Sequence, residues 1–270
     1  MQEAIDRFTT GLQSGLYPYI QHSAFMLTAR GLQSASSGQR LGNGAAAEAA
    51  VRIDVAVIAE LPPAANRQGL RLAQSTSVRA LLRQALPDGQ QFNIQKNPAG
   101  QPQLVGDAGP HISLAHSRAW LACALAPTHP VGVDIEHLRP RDWHTLAADT
   151  FHPAEARWVL AATGPERDIR GLTAWCRREA LAKALGLGLD APWAWSEVAY
   201  DPEGRLIAAP PQLGDPAAWT SFSTVVSGQA VLAAVWRRAD RAANDAVAAC
   251  AALGRPEQAR TAVRSTKVLR

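Results

Sequence analysis

The run Val131-Gly132-Val133-Asp134-Ile135-Glu136, followed about forty residues later by Ala174-Trp175-Cys176-Arg177-Arg178-Glu179-Ala180-Leu181-Ala182-Lys183-Ala184, restricts the fold of this chain more than any other feature. The first run alternates Val131, Val133 and Ile135 with Gly132, Asp134 and Glu136, the period of a strand, so Asp134 and Glu136 project from one face. The second has Ala and Leu at helix-favouring positions and stops at Gly186 and Gly188, residues that end helices. On that helix Trp175, Glu179 and Lys183 are spaced i, i+4, i+8, which places a carboxylate and an ammonium on one stripe above the indole. Two carboxylates on one strand repel each other unless something cationic sits between them. A third carboxylate and a lysine on a nearby helix would complete a hard-cation site with a phosphate neighbour. Either motif alone is ordinary: D-x-E on a strand is most often its solvated face, and a Glu-Lys pair four residues apart contributes about 0.3–0.5 kcal/mol at a surface. Their combination makes a candidate site.

The two runs together resemble the signature of the 4'-phosphopantetheinyl transferases, a G-[VI]-D-[IV]-E strand and then W-[ST]-x-K-E-A-hydrophobic-x-K. Three lesser features of that family occur in the same order. Asn97-Pro98-Ala99-Gly100-Gln101-Pro102 is similar to its G-K-P turn, Ile112-Ser113-Leu114-Ala115-His116-Ser117 to its N-[IL]-S-H-S segment, and Phe151-His152-Pro153-Ala154-Glu155 to its F-x-x-x-E. The family has short members that form trimers, with sites between subunits. It also has a longer surfactin-synthetase-activating type, in which two such units are fused into a monomer with one site between the halves. The length of 270 residues and the single signature favour the longer type. The resemblance thus implies an α+β fold of two similar halves related by a pseudo-twofold.

The activity implied is transfer of the 4'-phosphopantetheine arm of coenzyme A to a serine of an apo acyl or peptidyl carrier protein, with release of adenosine 3',5'-bisphosphate. Such phosphoryl transfer needs charge neutralisation, alignment and a nucleophile that loses its proton. Asp134, Glu136 and Glu179 would hold Mg2+, or Mn2+, through oxygen ligands. Lys183 would neutralise the pyrophosphate or the leaving phosphate, and Glu155 or Glu179 would accept the serine proton. The coenzyme A-binding set is Arg71, Gly100, Gln101, Pro102, Ala115, His116, Asp134, Glu155, Arg178 and Lys183. Within it Arg71 would meet the 3'-phosphate, and His116 would donate to the phosphates. Departures from the pattern matter: Arg178 stands where the family has its first lysine, and Gln101 replaces the lysine of G-K-P, so of these two only the former keeps a charge. Rival readings are a non-catalytic carrier-binding scaffold descended from this family and another magnesium-dependent nucleotide phosphohydrolase.

The rest of the chain frames that site. At 47% hydrophobic and 19% charged it has the composition of a globular protein with a substantial core. Its net charge of +4 and pI near 9.3 come largely from Arg255, Arg260, Arg264, Lys267 and Arg270. Without interleaved aromatics these read as a solvated tail over residues 240–270 rather than a nucleic-acid contact. No basic leader precedes an apolar segment and no apolar run is long enough to span a bilayer, so a cytoplasmic protein is expected, with no membrane partner. Cys123, Cys176 and Cys250 lack metal or disulfide spacing and read as reduced thiols. Residues 1–50 include the Gly/Ser/Gln-rich Gly31–Gly44 and read as a flexible extension. An N-terminal half is expected over 51–127 and a C-terminal half, with the signature, over 128–239. The expected elements are strands at Arg52–Ile58, Gln91–Gln95, Gln103–Val105, Ile112–Ala115, Trp120–Ala126, Val131–Glu136, Trp195–Tyr200, Arg205–Ala208, Ala218–Val226 and Ala230–Trp236. Helices are expected over Gly69–Leu86, Pro153–Ala162 and Leu172–Leu185.

Overall fold

A computed structural model describes residues 20–28, 31–35, 51–58, 67–86, 93–97, 100–105, 110–187 and 195–238. The tail and Cys250 lie outside them. In order, the elements are strands β1 (Ile20–Thr28), β2 (Gly31–Ala35) and β3 (Val51–Ile58), helix α1 (Arg67–Ala85), and strands β4 (Asn93–Lys96), β5 (Pro102–Val105), β6 (His111–Ser117), β7 (Trp120–Ala126) and β8 (Val131–His137). Helices α2 (Trp143–Thr150), α3 (Pro153–Leu160) and α4 (Gly164–Ala184) follow, then β9 (Ala199–Tyr200), β10 (Leu206–Ala208), β11 (Trp219–Val226) and β12 (Ala230–Arg237). The architecture is α+β, as expected.

Two sheets carry the structure. One has the order β2-β1-β3-β7-β6 and the other β11-β12-β8, and within each the neighbours are antiparallel. Within residues 1–50, where a flexible extension was expected, the described residues form strands: β1 pairs with β3 from Ile20–Ile58 to Leu27–Val51, and β2 pairs with β1; the rest of that span lies outside the described residues. A strand is held by its partners more than by propensity, and composition alone could not show the partner.

The sheets meet where β6 lies beside β8. Ser113 Oγ accepts a hydrogen bond from the Val133 amide at 3.0 Å, and Ser117 Oγ accepts one from the His137 amide at 3.2 Å. Both bonds span the same twenty residues, so β6 and β8 run in the same direction, joined by serine side chains rather than by a backbone ladder. One apolar core spans the seam, with Ile53, Ala122 and Ala124 from the first sheet and Val133, Ile135, Leu232 and Trp236 from the second. On its other face the first sheet packs Leu121 and Leu125 against Leu81 and Leu82 of α1. On its other face the second packs Val231, Ala233 and Val235 under α4 and its neighbours. Strands β7 and β12 are therefore buried on both faces, which is why they read as near-continuous apolar runs.

Helix α4 sits on β8 at backbone distance. A Cβ on Gly132 would lie 1.8 Å from the Ala180 carbonyl oxygen, so the glycine before the strand's acid is required by the helix above it. The helix is longer than its expected Leu172–Leu185 span. It begins at Gly164, with a proline at its N-terminal end and Glu166 in its first turn, a favourable start that the apolar periodicity does not register. Helix α2 was not anticipated; Asp142 caps it by accepting from the His144 and Thr145 amides. The strand expected over Trp195–Tyr200 is a 3-10 turn, Trp195–Glu197, followed by the two residues of β9. Among the described residues no helix is long and apolar enough to cross a membrane.

Candidate functional site

Asp134 lies at the middle of β8, facing α4. Its Oδ1 accepts from Lys183 Nζ at 2.7 Å, and the same ammonium donates to the Val133 carbonyl at 3.1 Å. Burial works against the charge on Lys183, but the Asp134 carboxylate and its hydrogen bond outweigh it and hold the ammonium above its usual pKa. Glu179, one helical turn before Lys183, is pushed up by burial first and by the negative charge of Asp134 next. Beneath them the Cys176 thiol is fully buried and is pushed well up by burial and by Asp134; its Sγ donates to the Val231 carbonyl at 3.7 Å. Asp134, Glu179 and Lys183 thus share one small volume between β8 and α4.

Glu136 is on the same strand face but is engaged elsewhere. Its Oε2 accepts from Arg141 at 3.0 Å and from Ser117 Oγ at 3.2 Å. Arg141 is itself fixed: its amide donates to Asp168 Oδ1 at 3.2 Å, and its guanidinium lies 5.9 Å from the Trp143 ring centroid. As a result, no three His, Cys, Asp or Glu side chains among the described residues close on a single point. Asp134 Oδ2, however, is buried with no hydrogen-bond partner. An orphaned carboxylate oxygen beside a carboxyl that resists ionisation, in an all-oxygen donor set, fits a hard divalent cation.

On the open side, His116 of β6 is exposed, and its pKa is lowered by partial burial and then by Lys183, with Arg71 of α1 adding to the effect. Arg71, also exposed, therefore belongs to the same electrostatic neighbourhood. Ala115, expected among the coenzyme-binding residues, is a core residue on the opposite face of β6.

A cleft of about 350 Å³ opens at the Val131 end of β8, lined among others by Gln101, Pro102, His111, Val131, Leu185 and Gly186. The exposed Gly100 turns the β4–β5 connection at φ +84°, and its amide donates to the Asn97 carbonyl. Gln101, in place of the lysine the family carries, donates through Nε2 to the Lys183 carbonyl at 2.8 Å, tying this hairpin to the end of α4.

The structure separates Arg178 and Glu155 from this volume, and the expectation that they meet phosphate or the serine proton is corrected. Arg178 is 1% exposed and forms a buried ion pair with Glu155, also 1% exposed. It also donates to the carbonyls of Trp195 at 3.2 Å, Val198 at 2.6 Å and Ala174 at 3.1 Å, and stacks 4.7 Å from the Phe151 ring centroid. Burial raises the Glu155 pKa against the opposing effect of Arg178. The geometric reason is the helix itself: a neighbour in sequence is turned about 100°, so Arg178 leaves the Glu179 stripe and faces the N-terminal turn of α3, where Glu155 sits. Neither side chain reaches solvent.

Sequence reasoning missed Ser113, Ser117, Arg141 and Arg177. Arg177 donates to the Asp201 and Pro202 carbonyls and to Ser223 Oγ, holding the β9–β10 turn to α4. The serines lie within the matched I-S-L-A-H-S segment, where attention fell on the histidine. Nothing in the sequence pairs Arg141 with Glu136 beyond their separation of five residues.

Comparison with known proteins follows the same lines. Residues 130–235, which contain β8, α4, β11 and most of β12, match the family model of the 4'-phosphopantetheinyl transferase superfamily. The chain is 32% identical over 148 residues to the 4'-phosphopantetheinyl transferase AcpT of Salmonella typhi, covering 54% of this chain and 70% of that protein; the Salmonella typhimurium protein of the same name gives the same values. It is 28% identical over 148 residues to the 4'-phosphopantetheinyl transferase HetI of Nostoc sp., covering 53% of this chain and 60% of that one.

Proposed function

This chain belongs to the 4'-phosphopantetheinyl transferase superfamily, and we propose that it moves the 4'-phosphopantetheine arm of coenzyme A onto a serine of an apo carrier protein in a magnesium-dependent reaction. The serine hydroxyl attacks the phosphorus that bears the pantetheine arm, the bond from that phosphorus to the bridging oxygen breaks, and adenosine 3',5'-bisphosphate leaves with the bridging oxygen. The observation that carries this reading is the close set of Asp134, Glu179 and Lys183, with an orphaned Asp134 oxygen, at the seam between the two sheets. In this reading the seam lies between two related halves, the first including β1 and β2.

Asp134 and Glu179 would hold Mg2+, or Mn2+, with Glu136 as third ligand once it leaves Arg141. The bound ion supplies charge neutralisation to the pyrophosphate. Lys183, charged at neutral pH, neutralises the leaving phosphate, and His116 and Arg71 supply donors toward the nucleotide from the open side. With Glu155 enclosed, Glu179 is the acid left to take the serine proton, directly or through water. The cleft beside Gln101 and Pro102 receives the adenine end.

The test is incubation of the protein with coenzyme A, Mg2+ and apo acyl carrier protein, followed by mass spectrometry for a gain of roughly 340 Da, the mass of the arm moved in such a phosphoryl transfer. A gain on the carrier with equimolar bisphosphate release supports the reading. No gain on several acyl and peptidyl carriers favours a carrier-binding scaffold, and bisphosphate release without a gain favours a phosphohydrolase.

A further inference from the structure

Strand β8 presents two carboxylates on one face, and each is balanced by a cation of the chain itself. Asp134 is paired with Lys183 of α4, and Glu136 with Arg141 from the connection between β8 and α2. Acids this close together need such a counter-charge if both are to stay ionised. Lys183 has a place in the proposed chemistry, beside the phosphates. Arg141 takes no part in that chemistry, yet it holds the acid that the divalent cation would share.

Arg141 is built into its position by contacts that do not involve Glu136. Its amide donates to Asp168 Oδ1 at 3.2 Å, and the same oxygen accepts from Trp143 Nε1 at 2.8 Å. The Trp143 ring is buried and lies against the Gly171 backbone of α4, where even a Cβ would collide with it. That ring carries the guanidinium 5.9 Å from its centroid. An arginine over an indole keeps a favourable partner when its carboxylate leaves.

The contact with Glu136 is the exchangeable one. Arg141 Nη2 and Ser117 Oγ both donate to a single oxygen of Glu136, Oε2, at 3.0 and 3.2 Å. The arginine side chain is 17% and the glutamate 30% exposed, so the carboxylate can turn along the strand face without crossing the core. A buried acceptor and a buried donor flank the pair without partners, Asp134 Oδ2 and Arg141 Nε. Orphaned atoms of this kind mark places where an ion or a second arrangement completes the bonding.

We propose that Arg141 is a built-in competitor for the divalent cation, holding Glu136 in the metal-free chain and giving it up as the cation binds, so that the guanidinium sets the affinity of the site. The inference rests on the cation-binding part of the transferase reading and adds the residue that regulates it. Binding then exchanges one positive partner of Glu136 for another, and Arg141 falls back on Trp143.

The experiment titrates Mn2+, which accepts the same oxygen ligands as Mg2+, into metal-free protein without coenzyme A, with free Mn2+ read by electron paramagnetic resonance. Wild type, Arg141→Gln, Glu136→Gln and the double variant are compared, and each is melted in EDTA and in Mn2+. Arg141→Gln should bind Mn2+ about three- to tenfold more tightly than wild type, as expected from losing one charge-assisted contact at a partly exposed pair. Its melting temperature should be lower in EDTA and should rise more than that of wild type when Mn2+ is added. In the Glu136→Gln background the same arginine substitution should change affinity less than about twofold, because no carboxylate is left to contest. A gain of equal size in both backgrounds overturns the proposal, since it shows plain repulsion between guanidinium and cation. An unmoved affinity in Arg141→Gln overturns it as well. If Arg141→Gln does not fold, Arg141→Lys takes its place: it keeps the charge but replaces the planar fork with a hydrated ammonium, and should give a gain of about two- to threefold that Glu136→Gln abolishes. Failure of the wider reading shows separately. Mn2+ binding in the expected order by a protein that modifies no carrier supports the inference and removes the transfer chemistry, whereas transfer by a protein whose Mn2+ affinity ignores Arg141 removes the inference alone.

Discussion

Arg178 gives the sharpest test of the interior of this fold. Substituting alanine removes a guanidinium that pairs with Glu155 and donates to three backbone carbonyls, at a site where both side chains are 1% exposed. Breaking a buried pair by deleting one partner costs about 3–5 kcal/mol, because the remaining charge is left uncompensated. For a chain of this size each kcal/mol is worth about 2–4 °C, so the melting temperature of Arg178→Ala should fall by roughly 6–20 °C. Lysine should rescue only part of this loss, since one ammonium on a flexible stem cannot serve Glu155, Trp195, Val198 and Ala174 together. The double substitution Arg178→Met with Glu155→Leu should recover the ion-pair part but not all of it. It leaves the Trp195 and Val198 carbonyls short of a donor, at about 1–3 kcal/mol for each buried unsatisfied group. Thermal denaturation followed by circular dichroism reads the order, with wild type above the double variant and the double variant above Arg178→Ala. The coenzyme A KM of Arg178→Lys, measured beside it, should stay near wild type. If Arg178→Ala kept its melting temperature and instead raised that KM about tenfold, Arg178 would face phosphate and the buried pair would be wrong.

Other outcomes follow from the same geometry. Asp134→Ala and Glu179→Ala should each lower transfer at least a hundredfold while keeping the far-ultraviolet spectrum; near-normal activity at limiting Mg2+ in either would refute the metal assignment. Gly132→Ala drives a methyl group into the Ala180 carbonyl and should cost about 3 kcal/mol or more, seen as a lower melting temperature; an unshifted value would show that α4 can lift off β8 freely. Glu179 is held above the ordinary carboxyl range, so the folded protein keeps this proton while the unfolded chain loses it near pH 4.3. Stability without metal should therefore decline as pH rises from about 4.3 through the folded value. Mg2+ should raise the melting temperature more at pH 7 than at pH 4.5, and an equal shift at both would remove Glu179 from the cation's ligands.

How far the sequence could be read depended on whether a residue's role is local. The alternation through Val131–Glu136 and the glycine-terminated helix that follows are local patterns, and both elements form there, the helix beginning earlier than expected, at Gly164. The matched order of motifs placed His116, Asp134, Glu179 and Lys183 in one neighbourhood, since each lies on an element whose face the period defines. Strands β1 and β2 were hidden because their stability comes from pairing, of β1 with β3 and of β2 with β1, and a partner is not visible in the composition of a segment. Glu155 was misassigned for a similar reason. Its match to F-x-x-x-E marked it as a candidate site acid, and only the position of α4 above it shows that an arginine closes over it.

In helix α4 each position of the signature has its own structural duty. Successive residues step about 100°, so five adjacent positions meet five different surroundings. Cys176 turns to the Val231 carbonyl of β12, Arg177 to the β9–β10 turn, and Arg178 to Glu155 and the Trp195–Val198 segment. Glu179 stands in the field of Asp134, and Ala180 rests on Gly132 at a distance that leaves no room for a larger residue on the strand. Lys183, one turn after Glu179, reaches back to Asp134 and the Val133 carbonyl. The two side chains of α4 that face the candidate chemistry, Glu179 and Lys183, are therefore oriented by the residues just before them, which fasten the helix to β12, α3 and the β9–β10 turn. An arginine in place of lysine at position 178 is compatible with this arrangement because its contacts are interior ones, where a planar fork satisfies several carbonyls and a carboxylate at once. The substitution that looks like a departure in a phosphate-binding position is, in this fold, a reinforcement of the scaffold that aims Glu179 and Lys183.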